Sequence, residues 1–249
     1  MLLFYSIICC ARYHYLSFCS SERKTMKPAA KLLPALVVLA VLMCPVKMVS
    51  AQVLDPKTLS AEWWQWAFSI PYSVNPLLVD GKCMIGQRGP VWFLAGDGSG
   101  SGQAITRTCD VPEGATLFFP VINFVDINTP PTTCGQKVQN AKDLQAEIQP
   151  AINSIHSVSV TLDGQNITNT VLRLIPQPFE VAFPPDNLFA GCPEGIYSPA
   201  VDGGDYVLIS PLKKGNHTIH FHGASDSTFF GHVEQDVTYK LTIVPVSLK

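Results

Sequence analysis

Three histidines fall close together in Gly215-Asn-His-Thr-Ile-His-Phe-His-Gly223, near the C-terminal end of the chain. Histidine is a frequent metal ligand and the side chain that titrates nearest neutrality, so metal chemistry is the first possibility. In a strand, alternate residues share a face. His220 and His222 then point one way with Thr218, and Ile219 and Phe221 point the other. Two imidazoles so spaced can share one ion. His232 would complete a three-ligand set for zinc or copper, with Glu234 or Asp236 in support. The competing reading is a solvent-facing strand with Thr, His and His at its polar positions, which needs no cofactor.

Aromatic chemistry is concentrated elsewhere, in Trp63-Trp-Gln-Trp-Ala-Phe68. Leu59, Trp63, Trp66 and Ile70 recur at helical spacing and belong to a core-facing stripe. Trp64 and Phe68 lie beside that stripe as an i, i+4 pair. They are the candidate ligand-binding residues, for the apolar face of a sugar ring. Carboxylates Asp97, Asp126, Asp202 and Asp205 sit near expected strand ends. Neither a paired-carboxylate glycosidase centre nor a calcium cage is specified by their spacing, and the reading is loop solvation. The chain has no Gly-x-Ser-x-Gly elbow. Asp97-Gly-Ser-Gly-Ser-Gly102 lacks the helix that a phosphate loop needs behind it, and reads as a hairpin loop between two strands. No catalytic residue is assigned. Asn166-Ile-Thr168 and Asn216-His-Thr218 are glycosylation sequons.

The chain divides near residue 51. From Met26, Lys27 and Lys31 precede an apolar run from Leu32 to Val46, and Val49-Ser-Ala51 closes it with small residues. This is the pattern of a secretory signal peptide over 26–51, cut before Gln52. The run is short for a membrane span of roughly 20 residues, so no membrane association is expected after cleavage. Residues 1–25 read as a misassigned start or an N-terminal extension. Residues 1–51 carry six Lys/Arg and one acid, whereas residues 52–249 carry 11 Lys/Arg and 18 Asp/Glu. An acidic mature chain without a basic stripe argues against nucleic-acid binding. Four of the eight cysteines, Cys83, Cys109, Cys134 and Cys192, lie in the mature part. An even number in an exported chain points to two disulfides. Of the three pairings, Cys83–Cys109 and Cys134–Cys192 are the most local, and the bridges would remove reactive thiolates.

These residues need elements to position them. The pattern predicts a helix over 55–70, with Thr58 or Ser60 as cap, Glu62 in the first turn and Pro71 as terminator. A second short helix spans 140–150, broken or redirected at Pro150. Strand patterns cover 91–96, 104–111, 116–126 with a bulge or bend at Pro120, 158–162 before an Asp163-Gly164 turn, 171–175, 179–183, 206–210, 218–222 and 237–244. About eight strands with little helix predict a mainly β chain: a single β-sandwich or jelly-roll-like domain over 52–249.

Several segments taken together are distinctive. They are Trp63-Trp-Gln-Trp66, Asn75-Pro-Leu77, Cys83 with Gly86-Gln87, Gly89-Pro-Val-Trp-Phe-Leu-Ala-Gly96, Arg107-Thr-Cys-Asp-Val-Pro112, Phe118-Phe-Pro-Val-Ile-Asn123 and Asp236-Val-Thr-Tyr-Lys-Leu-Thr242. In these the chain resembles a family of uncharacterised exported bacterial proteins, over most of its mature length. The resemblance implies export and one domain, and brings no catalytic residues. The expectation is a secreted or periplasmic, non-catalytic binding or cell-surface module for carbohydrate or a surface polymer. The alternatives are a metal-binding protein or metal-dependent enzyme using His220, His222 and His232, and a structural envelope protein without a small ligand.

Overall fold

In the computed structural model, residues 54–78, 83–175 and 177–246 are described. The expected signal peptide and the segment before it lie outside them. Two helices and ten strands follow in the order α1 (Pro56–Ser69), β1 (Val91–Phe93), β2 (Ile105–Pro112), β3 (Thr116–Ile127), α2 (Ala141–Asn153), β4 (Ile155–Leu162), β5 (Gln165–Asn166), β6 (Leu172–Leu174), β7 (Phe179–Phe183), β8 (Gly195–Ile209), β9 (Gly215–Ser227) and β10 (Gly231–Val244). The mainly β architecture with two short helices is as expected. Among the described residues, no helix is long and apolar enough to cross a membrane.

The strands form two five-stranded sheets. The first runs β1-β3-β8-β6, with β7 also on β8; the second runs β2-β10-β9-β4-β5. Alternation decides which side chains lie between them. Leu117, Phe119, Val207 and Ile209 of the first sheet meet Ile219, Phe221, Val237, Tyr239 and Leu241 of the second in one buried cluster. Phe118 and Tyr206, of opposite parity, face outward onto α1, where Trp63, Trp66 and Phe93 join them. A second helix, α2, packs Leu144, Ile148 and Ile152 against Ile122, Phe124 and Val201. Burying side chains of this size stabilises by about 1.5–3 kcal/mol each.

Local chemistry sets the ends of α1. Asp55 caps it, accepting from Lys57 N at 3.2 Å and Thr58 Oγ1 at 3.0 Å, with Pro56 at the first helical position. The cap is therefore Asp55, where Thr58 or Ser60 was expected, and Glu62 falls beyond the first turn. Starting at Pro56 suits a ring whose missing N–H would be unsatisfied there anyway. Ile70 leaves the helix in extended conformation because Pro71 follows. In α2, Asn140 caps Lys142 N and Asp143 N. Pro150 does not break that helix, which continues to Asn153. The last turn tolerates the lost bond because Ser154 N caps it on Pro150 O and Ala151 O.

Three other expectations need correction. The strands flanking Asp97–Gly102 are β1 and β2, which lie in different sheets, so this glycine-rich piece is a crossover and not a hairpin loop. Asp202-Gly-Gly-Asp205 is the buried middle of β8, not a solvated loop before a strand. The apolar neighbours on both sides allow it, because the two glycines let β8 pass close to other elements. A Cβ on Gly203 would strike Ile152, and one on Gly204 would strike Ile122 O. Finally, β9 and β10 run well past the expected 218–222 and 237–244, to Ser227 and from Gly231, and a tight turn joins them.

The expected irregularity at Pro120 is present as a register shift between Pro120 and Ile122 where β3 pairs with β8. The expected turn Asp163-Gly164 has φ of 52° and 77° and joins β4 to β5. Both favoured disulfides form, Cys83–Cys109 and Cys134–Cys192.

Candidate functional site

Two places combine chemistry-bearing residues. One is the outer face of β9 and β10. The hairpin aligns His220 with Thr238, His222 with Asp236, and His232 with Asp226. The histidines do not converge on one point; each takes a carboxylate. His220 Nε2 meets Asp236 Oδ1 at 3.0 Å. His222 Nε2 meets Glu234 Oε1 at 2.7 Å, and His222 Nδ1 meets Ser157 O at 2.9 Å. His232 takes Asp226 Oδ1 at 2.7 Å and Glu234 Oε2 at 3.3 Å.

An imidazole whose two nitrogens both face oxygen acceptors is suited to carry two protons. The Glu234 hydrogen bond holds His222 above its ordinary pKa, and Asp226 followed by Glu234 does the same for His232. Those pairs in turn hold Glu234 below its ordinary value. Doubly protonated rings have no lone pair for a metal. Among the described residues, no group of three or more His, Cys, Asp or Glu side chains is placed to hold an ion. The face is a run of alternating imidazoles and carboxylates, extended at 3.6 Å by His156 on the second oxygen of Asp226.

The second place is a cavity of about 400 Å³ beside α1. Trp63, Trp64 and Phe68 supply one wall, and Pro120–Val125 of β3 another. Leu188, Phe189, Phe230 and Val233 close the sides. Tyr72, Leu78 and Phe189, all exposed, form its rim. Trp64 and Phe68 are indeed paired, with stacked rings 4.9 Å apart. They are 8% and 3% exposed, so they line a recess and do not offer a partly exposed platform.

The recess exists because β1 ends early. It pairs with Thr116–Phe118 alone, and along that edge of β3 no described strand continues beyond Phe118. Side chains draw the following segment away. Trp63 Nε1 donates to Leu94 O at 2.9 Å. Tyr239 Oη accepts from Ala95 N at 3.0 Å and donates to Ala95 O at 2.9 Å. Gln235 completes the diversion, accepting from Asp97 N and donating to Asp97 O, each at 2.7 Å. These bonds satisfy main-chain groups that a longer β1 would have satisfied by pairing.

Beneath the cavity floor lies a buried polar relay. Asn123 Nδ2 donates to Tyr206 Oη at 3.0 Å, and Tyr206 Oη donates to Asp202 Oδ2 at 2.5 Å. Asp202, Gly204 and Tyr206 share one face of β8, and Gly204 has no side chain to block the reach from Tyr206 to Asp202. Burial pushes the Asp202 carboxyl up to about 7, with Tyr206, Ser60 and Trp64 opposing the rise. Burial and the neighbouring Asp202 hold the Tyr206 phenol well above its ordinary pKa. Asp202 Oδ1 and Trp64 Nε1 are both buried without a well-formed hydrogen bond. The next carboxylate along β8 differs: Asp205 is met by both Arg173 Nε and Arg173 Nη2, the latter at 2.9 Å.

From the sequence, Trp64 and Phe68 are ligand-site candidates and Asp202 reads as a solvated loop carboxylate, whereas Asn123 and Tyr206 carry no assignment. One signal was present: Asn123 is the single polar residue in the run Leu117–Val125. Comparison with known protein families, curated proteins and solved structures found no match to this chain.

Proposed function

We propose that this chain is the binding module of an exported protein, and that it holds a small, largely apolar molecule in the cavity beside α1. The observation that carries this reading is the recess itself, of about 400 Å³ and walled by Trp64, Phe68, Phe189, Phe230 and β3. Small-molecule sites are concave, mostly apolar and within this size range. Two disulfides support the frame, and one of them, Cys134–Cys192, closes the loop that carries Leu188 and Phe189. Disulfides suit an oxidising compartment, in line with the leader pattern and with the resemblance to exported proteins.

The lining favours an apolar ligand over the carbohydrate expected from the tryptophan motif. A sugar brings many hydroxyls, each costly to bury unpaired. Here Gln235 is spent on Asp97, and the Asp97 carboxylate is engaged by Ser99. Few polar groups are left over for a polyol. Among the described lining residues, the hydroxyl of Ser99 and the carboxylate of Asp97 bond each other in an exposed turn, and binding without turnover is the reading.

The test is titration with the neutral dye N-phenyl-1-naphthylamine. Saturable enhancement of dye fluorescence at one equivalent is expected, weakened several-fold in Phe189→Ala, which trims an exposed rim residue. Unsaturable dye binding, or binding that Phe189→Ala leaves untouched, would sink the cavity as the ligand site.

A further inference from the structure

The relay beneath the cavity restricts what the ligand's polar end can be, if the binding reading above holds. Tyr206 has a single proton. Above about pH 7, where Asp202 is ionised and can only accept, that proton belongs on the short bond to Oδ2. Tyr206 Oη is then an acceptor toward Asn123, so the group it meets there must be the amide nitrogen. A carboxamide has its oxygen on the opposite side from its nitrogen. Asn123 Oδ1 is thereby turned away from Tyr206, and it makes no hydrogen bond to any described residue. Asn123 is only half-buried and lines the recess. The amide cannot reverse without setting its carbonyl oxygen against an oxygen that has no proton left to give.

We infer that the cavity selects an apolar molecule bearing a hydrogen-bond donor, such as an alcohol or phenol hydroxyl, and that Asn123 Oδ1 receives that donor. Tyr206 and Asp202 are positioning residues: neither touches the ligand, and both act by fixing which way the Asn123 amide faces. The other polar groups around the recess do not compete for the role. Gln235 and the Asp97 main chain bond each other, and Trp64 Nε1 is sealed from the cavity side. A ligand with only an acceptor at that end would meet the Asn123 oxygen with a lone pair of its own.

Three probes of one shape separate the possibilities: naphthalene, 2-methoxynaphthalene and 2-naphthol. Each is titrated against the dye-loaded full mature chain at about pH 8, where Asp202 is ionised. A single neutral hydrogen bond corresponds to roughly three- to tenfold in affinity, so 2-naphthol is expected to bind tighter than 2-methoxynaphthalene by that factor. In Asn123→Leu, which keeps the side-chain volume, the ratio should fall to about one with naphthalene binding retained. Tyr206→Phe keeps the ring and frees the amide to turn. It should lower the ratio as well, which a merely structural role for Tyr206 would not do.

A ratio near one in the unaltered protein would overturn the donor rule while leaving the cavity as a binding site. So would a ratio that survives Asn123→Leu. A ratio that survives Tyr206→Phe would overturn the positioning role of the relay. Failure of all three probes to displace the dye would remove the binding reading, and this inference with it.

Discussion

The α1 side of the first sheet and the histidine face of the second handle charge in opposite ways. On the histidine face each acid sits beside an imidazole at the surface. Behind α1, Asp202 is 1% exposed with no cation in contact, and its charge is managed by holding a proton until about pH 7. Only three residues further along β8, Asp205 is instead held by the Arg173 guanidinium. The difference follows from solvent. At the surface an ion pair is cheap to form and weak. In the interior an unpaired carboxylate is costly, and neutralisation is the easier route. Below about pH 7 the cavity floor is therefore nearly uncharged, and it suits apolar matter, whereas the histidine face is polar.

If the α1 side is a packed support for the recess, breaking its anchor should have the largest effect of any single change. Trp63 is 1% exposed, packs at the centre of the tryptophan cluster and donates to Leu94 O. Trp63→Ala should cost about 3–5 kcal/mol, read as a lower urea midpoint, and should abolish dye binding because part of the cavity wall is lost. A loss under about 1 kcal/mol would mean that α1 is a loosely attached element and would erase the contrast with the surface face.

The buried carboxyl sharpens the comparison through its pH dependence. Its folded pKa, about 7, lies above the usual carboxylate value. The native state therefore binds more protons than the unfolded chain between about pH 4 and 7. Stability from this group is complete below its unfolded pKa and is lost as pH rises through 7, by at most about 1.4 kcal/mol per pH unit. Asp202→Asn should remove that slope, so the variant gains on the unaltered protein as pH rises toward 8. Burial makes the effect insensitive to salt. Parallel curves for the two proteins over this range would show that Asp202 stays ionised in the folded state.

How much of this was legible in the sequence depends on the range of the interactions. Local patterns held where local physics decides: the tryptophan stripe gave α1, Pro120 marked the bulge in β3, and the spacing of four cysteines favoured the pairs that form. Alternation put His220 and His222 on one face with Glu234 or Asp236 as neighbours, but it did not show that each imidazole takes its own carboxylate. The cavity was not readable, since its walls come from α1, β3, the loop before Cys192 and the β9–β10 turn, and it opens where β1 stops short. No periodicity records that absence. Asp202 and Asp205 were misread because acids flanking Gly-Gly usually mark a turn. Here the glycines serve close packing against Ile152 and β3.

The smallest expected effect lies on the histidine face. His222 and Glu234 are both partly exposed, so solvent screening leaves their pair a small contribution. Its sign is set by two opposed shifts. His222 is raised, so its contribution is complete below the ordinary histidine pKa and is lost as pH rises through the raised one. Glu234 is lowered, so its contribution is complete above the ordinary glutamate pKa and is lost as pH falls through the lowered one. His222→Ala should therefore destabilise measurably only between those limits, near pH 5–6 and at low salt, and 1 M NaCl should remove most of the difference. A surface pair must behave in this way. A loss from His222→Ala that ignores salt but vanishes when EDTA is added to the unaltered protein requires another partner. His220, His222 and His232 would then be ligands of a bound metal, and the face would hold its charge by coordination instead of by screening.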